Sequence, residues 1–257
     1  MAIHLSSDPR FSYSLMTPLE MDENTRLLVS VHGSDRDPRA AMESYRELVL
    51  WHNVAVLAPL FPRFVDDTGD LLGYKLVRWG GINYDDVLFN MIAEAHEHFG
   101  TPTGPFMMSG YSGGGQFVHR FALFHAKELI CVAVGAPGRV TLPTADEPWW
   151  LGLSDTEEQL GLRADLDALK ATPVQVVAAD LDIGEGYPVP KDSGVWFPNL
   201  ELAGTTRLER SRSFYRALLD IGGDVRMTIV HNQSHEAPGA LEVFKLFFAE
   251  QLRMARA

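Results

Sequence analysis

Three short stretches of the chain carry side chains able to do covalent chemistry together. The first is Gly110-Tyr111-Ser112-Gly113-Gly114, a hydroxyl set among glycines. The second is Asp180-Leu181-Asp182, and the third is His231-Asn232-Gln233-Ser234-His235-Glu236. A serine hydroxyl is a weak nucleophile until a base takes its proton, and an imidazole base must be oriented by an acid. Hydroxyl, carboxylate and imidazole occur in that order along the chain. The same residues leave other chemistries open. Glycines about a serine also suit a phosphate-cradling loop, or simply a helix packed closely on a strand. Asp180, Asp182, Glu185, His231 and His235 offer enough oxygen and nitrogen donors for a metal site.

The phosphate reading is the weakest of these. No Lys-Ser/Thr pair follows the glycines, Gln116 stands where a charge is needed, and no Gly-x-Gly-x-x-Gly fingerprint with its acidic partner is present. The nucleophile reading makes a stronger demand on its surroundings: a strand must precede Gly-x-Ser-x-Gly and a helix must follow. Apolar Phe106-Met107-Met108 runs into the motif, and GGGQFVHRFALFHAKE reads as a helix after it. Such a sharp turn holds the serine in a strained backbone conformation, so residues two positions away must lack bulk.

The elements that would bring the three stretches together follow a repeating order. Strand-length apolar runs at Thr25–Gly33, Val54–Phe61, LICVAVGAP, Pro173–Asp180 and Val225–Asn232 alternate with helix-length segments. Among the helices are PRAAMESYRELVLWHN, with Met42, Tyr45, Leu48 and Val49 at helical spacing, and Ile82–Gly100. Strands apolar throughout require a sheet covered on both faces, and the alternation predicts an α/β, doubly wound, mostly parallel sheet. Asp182 and His235 each follow a strand, so both belong to the crevice at the carboxyl ends of the strands. The chain reads as one domain over 1–257, with an insertion over 139–172 and a Gly- and Pro-rich loop over 183–198.

Composition narrows the partners. The 257 residues are 46% hydrophobic, with 34 acidic against 22 basic side chains and a formal net charge of −12. That field repels phosphate backbones and anionic membrane surfaces, and no Lys/Arg run offsets it, so neither nucleic acid nor membrane is expected as a partner. Cys131 is the only cysteine, which excludes an intramolecular disulfide and a cysteine-based zinc cluster. The N-terminal stretch lacks a basic region followed by an apolar core, and a cytoplasmic location is the expectation. Oligomeric state is not legible.

Together VHGS after an early strand, GYSGG, PVQVVAADLD and HNQSHE resemble the α/β-hydrolase superfamily, in its serine esterase and lipase-like branch. The resemblance runs from about Thr25 to the last helix. It implies the α/β-hydrolase fold with a small cap insertion, and cleavage of a carboxylic ester or similar acyl bond through an acyl-enzyme, with a small-molecule ester or acyl compound as substrate and no metal or organic cofactor. It implies Ser112 as nucleophile, His235 as base and then acid, and Asp182 as the orienting acid, with Asp180 as its rival. It makes His231 a packed or capping residue and His32 a loop-shaping one. It places the oxyanion-hole N–H groups at Gly113 and Ser34. The loop reads HGSDRDP, not the HGGG of many lipases, which implies smaller or medium esters. Phe61, Trp149, Trp150, Tyr187 and Trp196, with Arg63 and Phe64, are candidate pocket walls; packing of the insertion onto the core is the alternative for the tryptophans. Asp35, Arg36 and Asp37 flank the loop, and Asp37-Pro38 reads as a helix start. A non-catalytic acyl-ligand sensor with the same fold is the reading from another functional class.

Overall fold

The computed structural model describes residues 2–65, 73–184, 189, 191, 196 and 198–255. In chain order the elements are β1 (Ile3–His4), β2 (Ser12–Met16), β3 (Arg26–Val31), α1 (Pro38–Glu43), α2 (Arg46–His52), β4 (Val54–Leu60), β5 (Arg78–Trp79), β6 (Ile82–Asn83) and α3 (Tyr84–Phe99). Then come β7 (Phe106–Tyr111), α4 (Gly113–His125), β8 (Leu129–Gly135), α5 (Thr156–Leu160), α6 (Leu166–Ala171), β9 (Val174–Ala179), α7 (Arg207–Asp220), β10 (Val225–Val230) and α8 (Ala237–Met254). Eight strands form one sheet in the order β1-β2-β4-β3-β7-β8-β9-β10. From β4 to β10 every neighbouring pair is parallel; β1–β2 and β2–β4 are antiparallel.

The strands are apolar on both sides because helices cover both faces. Side chains alternate along a strand. Leu27, Val29, Val31, Met108, Val132 and Val134 therefore join one core with residues of α3, α4 and α7. Leu28, Met107, Cys131 and Ala133 join the other, with Met42, Leu48, Val49 and the α8 phenylalanines Phe244, Phe247 and Phe248. The doubly wound, mostly parallel sheet expected from the sequence is the architecture observed.

Differences are local. The single helix read over PRAAMESYRELVLWHN is two, because the chain leaves helical geometry at Tyr45 (φ −109°, ψ 15°). Its spacing signal survives the break: Met42, Tyr45, Leu48 and Val49 are all buried. Asp37 accepts a hydrogen bond from the Ala40 N–H at 2.9 Å, with Pro38 beginning α1, as the Asp-Pro step suggests. Ile82 and Asn83 belong to a two-stranded hairpin rather than to α3. That hairpin is tied down by Asp85, whose fully buried carboxylate takes Arg78 Nε at 3.0 Å and His125 Nε2 at 2.9 Å. Burial pushes the Asp85 carboxyl up, and these two partners outweigh it, leaving it below the ordinary carboxylate range.

Segment 139–172 lies against α4. Arg120 is buried inside α4 and donates from Nε to Thr141 Oγ1 at 2.8 Å and from Nη1 to the Lys75 carbonyl at 2.7 Å. Its guanidinium also faces the Trp150 ring at 5.5 Å. Trp150 is buried with Leu76 and Leu200, and Trp149 packs beside Phe124 at 5.7 Å. Both tryptophans thus take part in docking the segment on the core. Among the described residues no helix is long and apolar enough to cross a membrane.

Candidate active site

The turn between β7 and α4 is built by absence of side chains. Ser112 has φ 55° and ψ −112°, a left-handed conformation costly for a residue with a Cβ. A Cβ on Gly110 would fall on the Gly114 carbonyl, and one on Gly114 would fall on that of Val31. The glycines therefore let α4 start directly against β3 and β7, and no phosphate is needed to explain them. The turn is pinned from the next strand, where the Gly135 carbonyl accepts the Ser112 N–H at 2.8 Å.

Two later turns bring the remaining groups to this point. Asp182, three residues beyond the end of β9, is 2% exposed. Its Oδ2 lies 2.7 Å from His235 Nδ1, and His235 Nε2 lies 2.9 Å from Ser112 Oγ. Asp180 is directed elsewhere: it meets His231 Nδ1 at 3.0 Å and accepts the Asn232 N–H at 2.8 Å. The two aspartates, Asp182 expected as the orienting acid and Asp180 as its rival, are thus paired with different histidines. The strand ends at Ala179, and the turn that follows leaves Asp180 toward the solvent-exposed His231 and buries Asp182. Glu185 lies outside the described residues, and among those described no three His, Cys, Asp or Glu side chains gather as a metal site would require.

The loop after β3 comes alongside the Ser112 turn. A Cβ on Gly113 would stand 3.0 Å from the Ser34 backbone nitrogen and 2.6 Å from Tyr74 Oη, so the peptide groups of Ser34 and Gly113 are neighbours. His32 shapes this loop from beneath. Its Nδ1 meets the Gly33 carbonyl at 2.8 Å and its Nε2 accepts the Phe61 N–H at 3.1 Å. Burial holds the imidazole down to about 4, so it stays neutral and works as a brace. Phe61 is fully buried among His32, Tyr74 and Phe117, beneath the loop rather than on an open wall. Arg63 donates to the Ser34 carbonyl at 2.9 Å, and Phe64 is exposed. Trp196 is 36% exposed with Lys191 Nζ 5.6 Å from its ring centroid. Tyr187, and most of the 183–198 loop, lie outside the described residues.

Three residues around the site had not been singled out from the sequence. Tyr74 donates its hydroxyl toward the carbonyls of His32 at 3.0 Å and Gly33 at 3.1 Å, and its ring carries the Arg36 guanidinium at 4.3 Å. Tyr111 stacks on His235, with centroids 5.1 Å apart and planes at 28°. Arg207 reaches Asp182 Oδ1 at 3.2 Å. Only Tyr111 carried a signal, its place inside the glycine motif; Tyr74 and Arg207 lie far from every motif. Replacing Tyr74 with phenylalanine takes this donor from the His32 carbonyl, while the Gly33 carbonyl keeps His32 Nδ1 and the Arg36 N–H. We expect a loss of about 1–2 kcal/mol, because an unmet buried acceptor costs that much. This corresponds to a melting temperature lower by about 3–6 °C for a chain of this size, readable by circular dichroism.

No family model and no curated protein matches this sequence. Solved structures do. LpqC, a poly(3-hydroxybutyrate) depolymerase from Bordetella parapertussis, aligns with a TM-score of 0.73 at 21% identity, over 95% of this chain and 87% of that one. Poly(aspartic acid) hydrolase-1 from Sphingomonas sp. KT-1 aligns at 0.68 and 18% identity over 92% of both chains. An S-formylglutathione hydrolase from Agrobacterium tumefaciens aligns at 0.60 and 16% identity, over 95% of this chain and 89% of that one. These likenesses, with the sheet order above, establish that the chain has the α/β-hydrolase fold.

Proposed function

We propose that the protein is a serine hydrolase that cleaves a carboxylic ester or similar acyl bond through a covalent acyl-enzyme. One observation carries the reading: Asp182, His235 and Ser112 form an unbroken hydrogen-bonded chain, at 2.7 and 2.9 Å, on the carboxyl edge of a parallel sheet. Ser112 Oγ attacks the carbonyl carbon while its proton passes to His235 Nε2. Asp182 Oδ2, holding the proton on Nδ1, fixes the tautomer in which Nε2 can accept. The oxyanion that forms is met by the backbone N–H groups of Gly113 and Ser34, and α4 begins beside it with its positive dipole end. The imidazolium then gives its proton to the departing alkoxide. Water repeats the sequence, losing its proton to His235 and releasing the acid from Ser112.

The substrate is a small-molecule ester or acyl compound, and the segment 139–172 is the cap over this end of the sheet. The neighbours' names, among them a depolymerase, an esterase and two hydrolases, support hydrolysis without fixing the acyl group. A fluorophosphonate probe tests the reading directly. Folded protein is expected to gain one adduct, on Ser112, with parallel loss of activity on a panel of aryl esters of graded acyl length. Smaller and medium acyl groups are the expected optimum, from the single-glycine HGS loop. Folded protein that leaves Ser112 unmodified and the esters intact would point instead to an acyl-ligand sensor.

A further inference from the structure

Asp182 is gripped from two sides, and only one of them belongs to the hydrogen-bonded chain to Ser112. On the second side Arg207, the first residue of α7, donates from Nη1 to Oδ1 at 3.2 Å. The backbone follows the same path: the Asp182 carbonyl accepts the Leu208 N–H at 3.3 Å. The carboxylate is thus suspended between His235 on Oδ2 and α7 on Oδ1.

Nothing in the local fold asks for an arginine there. A cation in the first turn of a helix opposes the helix dipole. Arg207 also stands near two other guanidiniums, those of Arg139 and Arg210, with Glu201 the carboxylate between them at 4.0 and 3.3 Å. Burial and then these like charges hold Arg210 down to about 10. Arg210 has a structural task, since it donates to the carbonyls of Gly138, Gly204 and Thr205. Among the described residues Arg207 makes no such set of ties, and its buried Nε has no hydrogen-bond partner there. The ion pair with Asp182 is what its position achieves.

We propose that Arg207 is a positioning residue for the reaction, resting on the serine-hydrolase reading above. By holding Oδ1 it aims Oδ2 at His235, and its charge, offsetting that of Asp182, sets the pH range in which His235 accepts the Ser112 proton. Among the described residues the other groups facing this pair are few. Tyr111 lies under the imidazole from β7, half-buried, its hydroxyl pushed up by desolvation and then by the Asp182 charge. Glu236 follows His235, and the Asp180–His231 pair occupies the sister turn. Among the described residues, Arg207 is the one permanent cation bonded to the Asp182 carboxylate.

The sign follows from the charges. Without Arg207 the Asp182 charge is no longer offset, so the protonated imidazole is favoured and His235 binds its proton to higher pH. In Arg207→Met the acid limb of the kcat/KM–pH profile is expected about 0.5–1 unit higher than in wild type. Activity then falls by about 3–10-fold on the acid side, with a smaller loss above the limb. Arg207→Gln serves as a second neutral variant should Arg207→Met fold poorly, and Arg207→Lys, which restores the charge, should return the limb to its wild-type place. The same loss at every pH, with the limb unmoved in both neutral variants, would make Arg207 a structural tie only and overturn the proposal. Failure of the underlying reading is separately visible, as wild-type protein that the fluorophosphonate does not label at Ser112.

Discussion

Ser112→Ala is expected to lower kcat on the best aryl ester by about 10⁴–10⁶-fold while the protein stays folded. The size follows from what the side chain does: without Oγ no acyl-enzyme forms, and His235 and Asp182 have no nucleophile to serve. What remains is water attack on an ester still held by the oxyanion donors, which accounts for a residual rate above background. The backbone supplies a second readout. With φ 55° and ψ −112°, residue 112 is in a conformation that glycine adopts far more readily than serine or alanine. Ser112→Gly should therefore be equally inactive yet more stable than wild type, by about 1 kcal/mol, seen as a higher melting temperature. Loss of activity together with a gain in stability is the signature of a residue kept for chemistry at the fold's expense. Hydrolysis by Ser112→Ala at the wild-type rate would remove the serine from the reaction.

Much of this site is legible in the sequence, and the reasons are physical. The turn at Ser112 needs glycines because Gly110 and Gly114 touch backbone, and backbone contact leaves its mark on local sequence. The sheet was legible because burial on both faces makes β3, β4, β8 and β9 almost uniformly apolar. What escaped was whatever depends on long-range tertiary contact. Ser12–Met16 mixes polar and apolar residues, so β2 does not announce itself, although Tyr13 is fully buried and Glu94 of α3 meets its hydroxyl at 3.2 Å. Tyr74 braces His32 from far along the chain, and Arg120 grips Thr141 across two elements. Neither pairing leaves a spacing to recognise. Phe61 looked like a pocket wall because aromatic residues near a site read alike; its neighbours, known only from the fold, make it a floor beneath the loop.

The two aspartates separate most sharply under amidation. In Asp182→Asn the side chain keeps its volume and its oxygen can still face Arg207, but its amide nitrogen then turns toward His235. An NH₂ donates, so His235 Nδ1 becomes the acceptor and the ring proton moves to Nε2, the atom that must take the Ser112 proton. Geometry survives and the base does not. The expected loss is about 10³–10⁴-fold in kcat, with KM changed little, because the defect lies in proton transfer rather than in substrate binding. Asp180→Asn meets a different environment. The amide oxygen can still accept the Asn232 N–H, and the His231 it releases is 78% exposed, free to bond with water. An exposed contact of this kind is worth at most about 1 kcal/mol, so activity should stay within about threefold of wild type and stability nearly so. Steady-state kinetics on both variants, with melting curves to certify the fold, decide between the two carboxylates. A larger loss in Asp180→Asn would mean that His231 rather than His235 serves the serine, and equal losses would remove the distinct role given to Asp182.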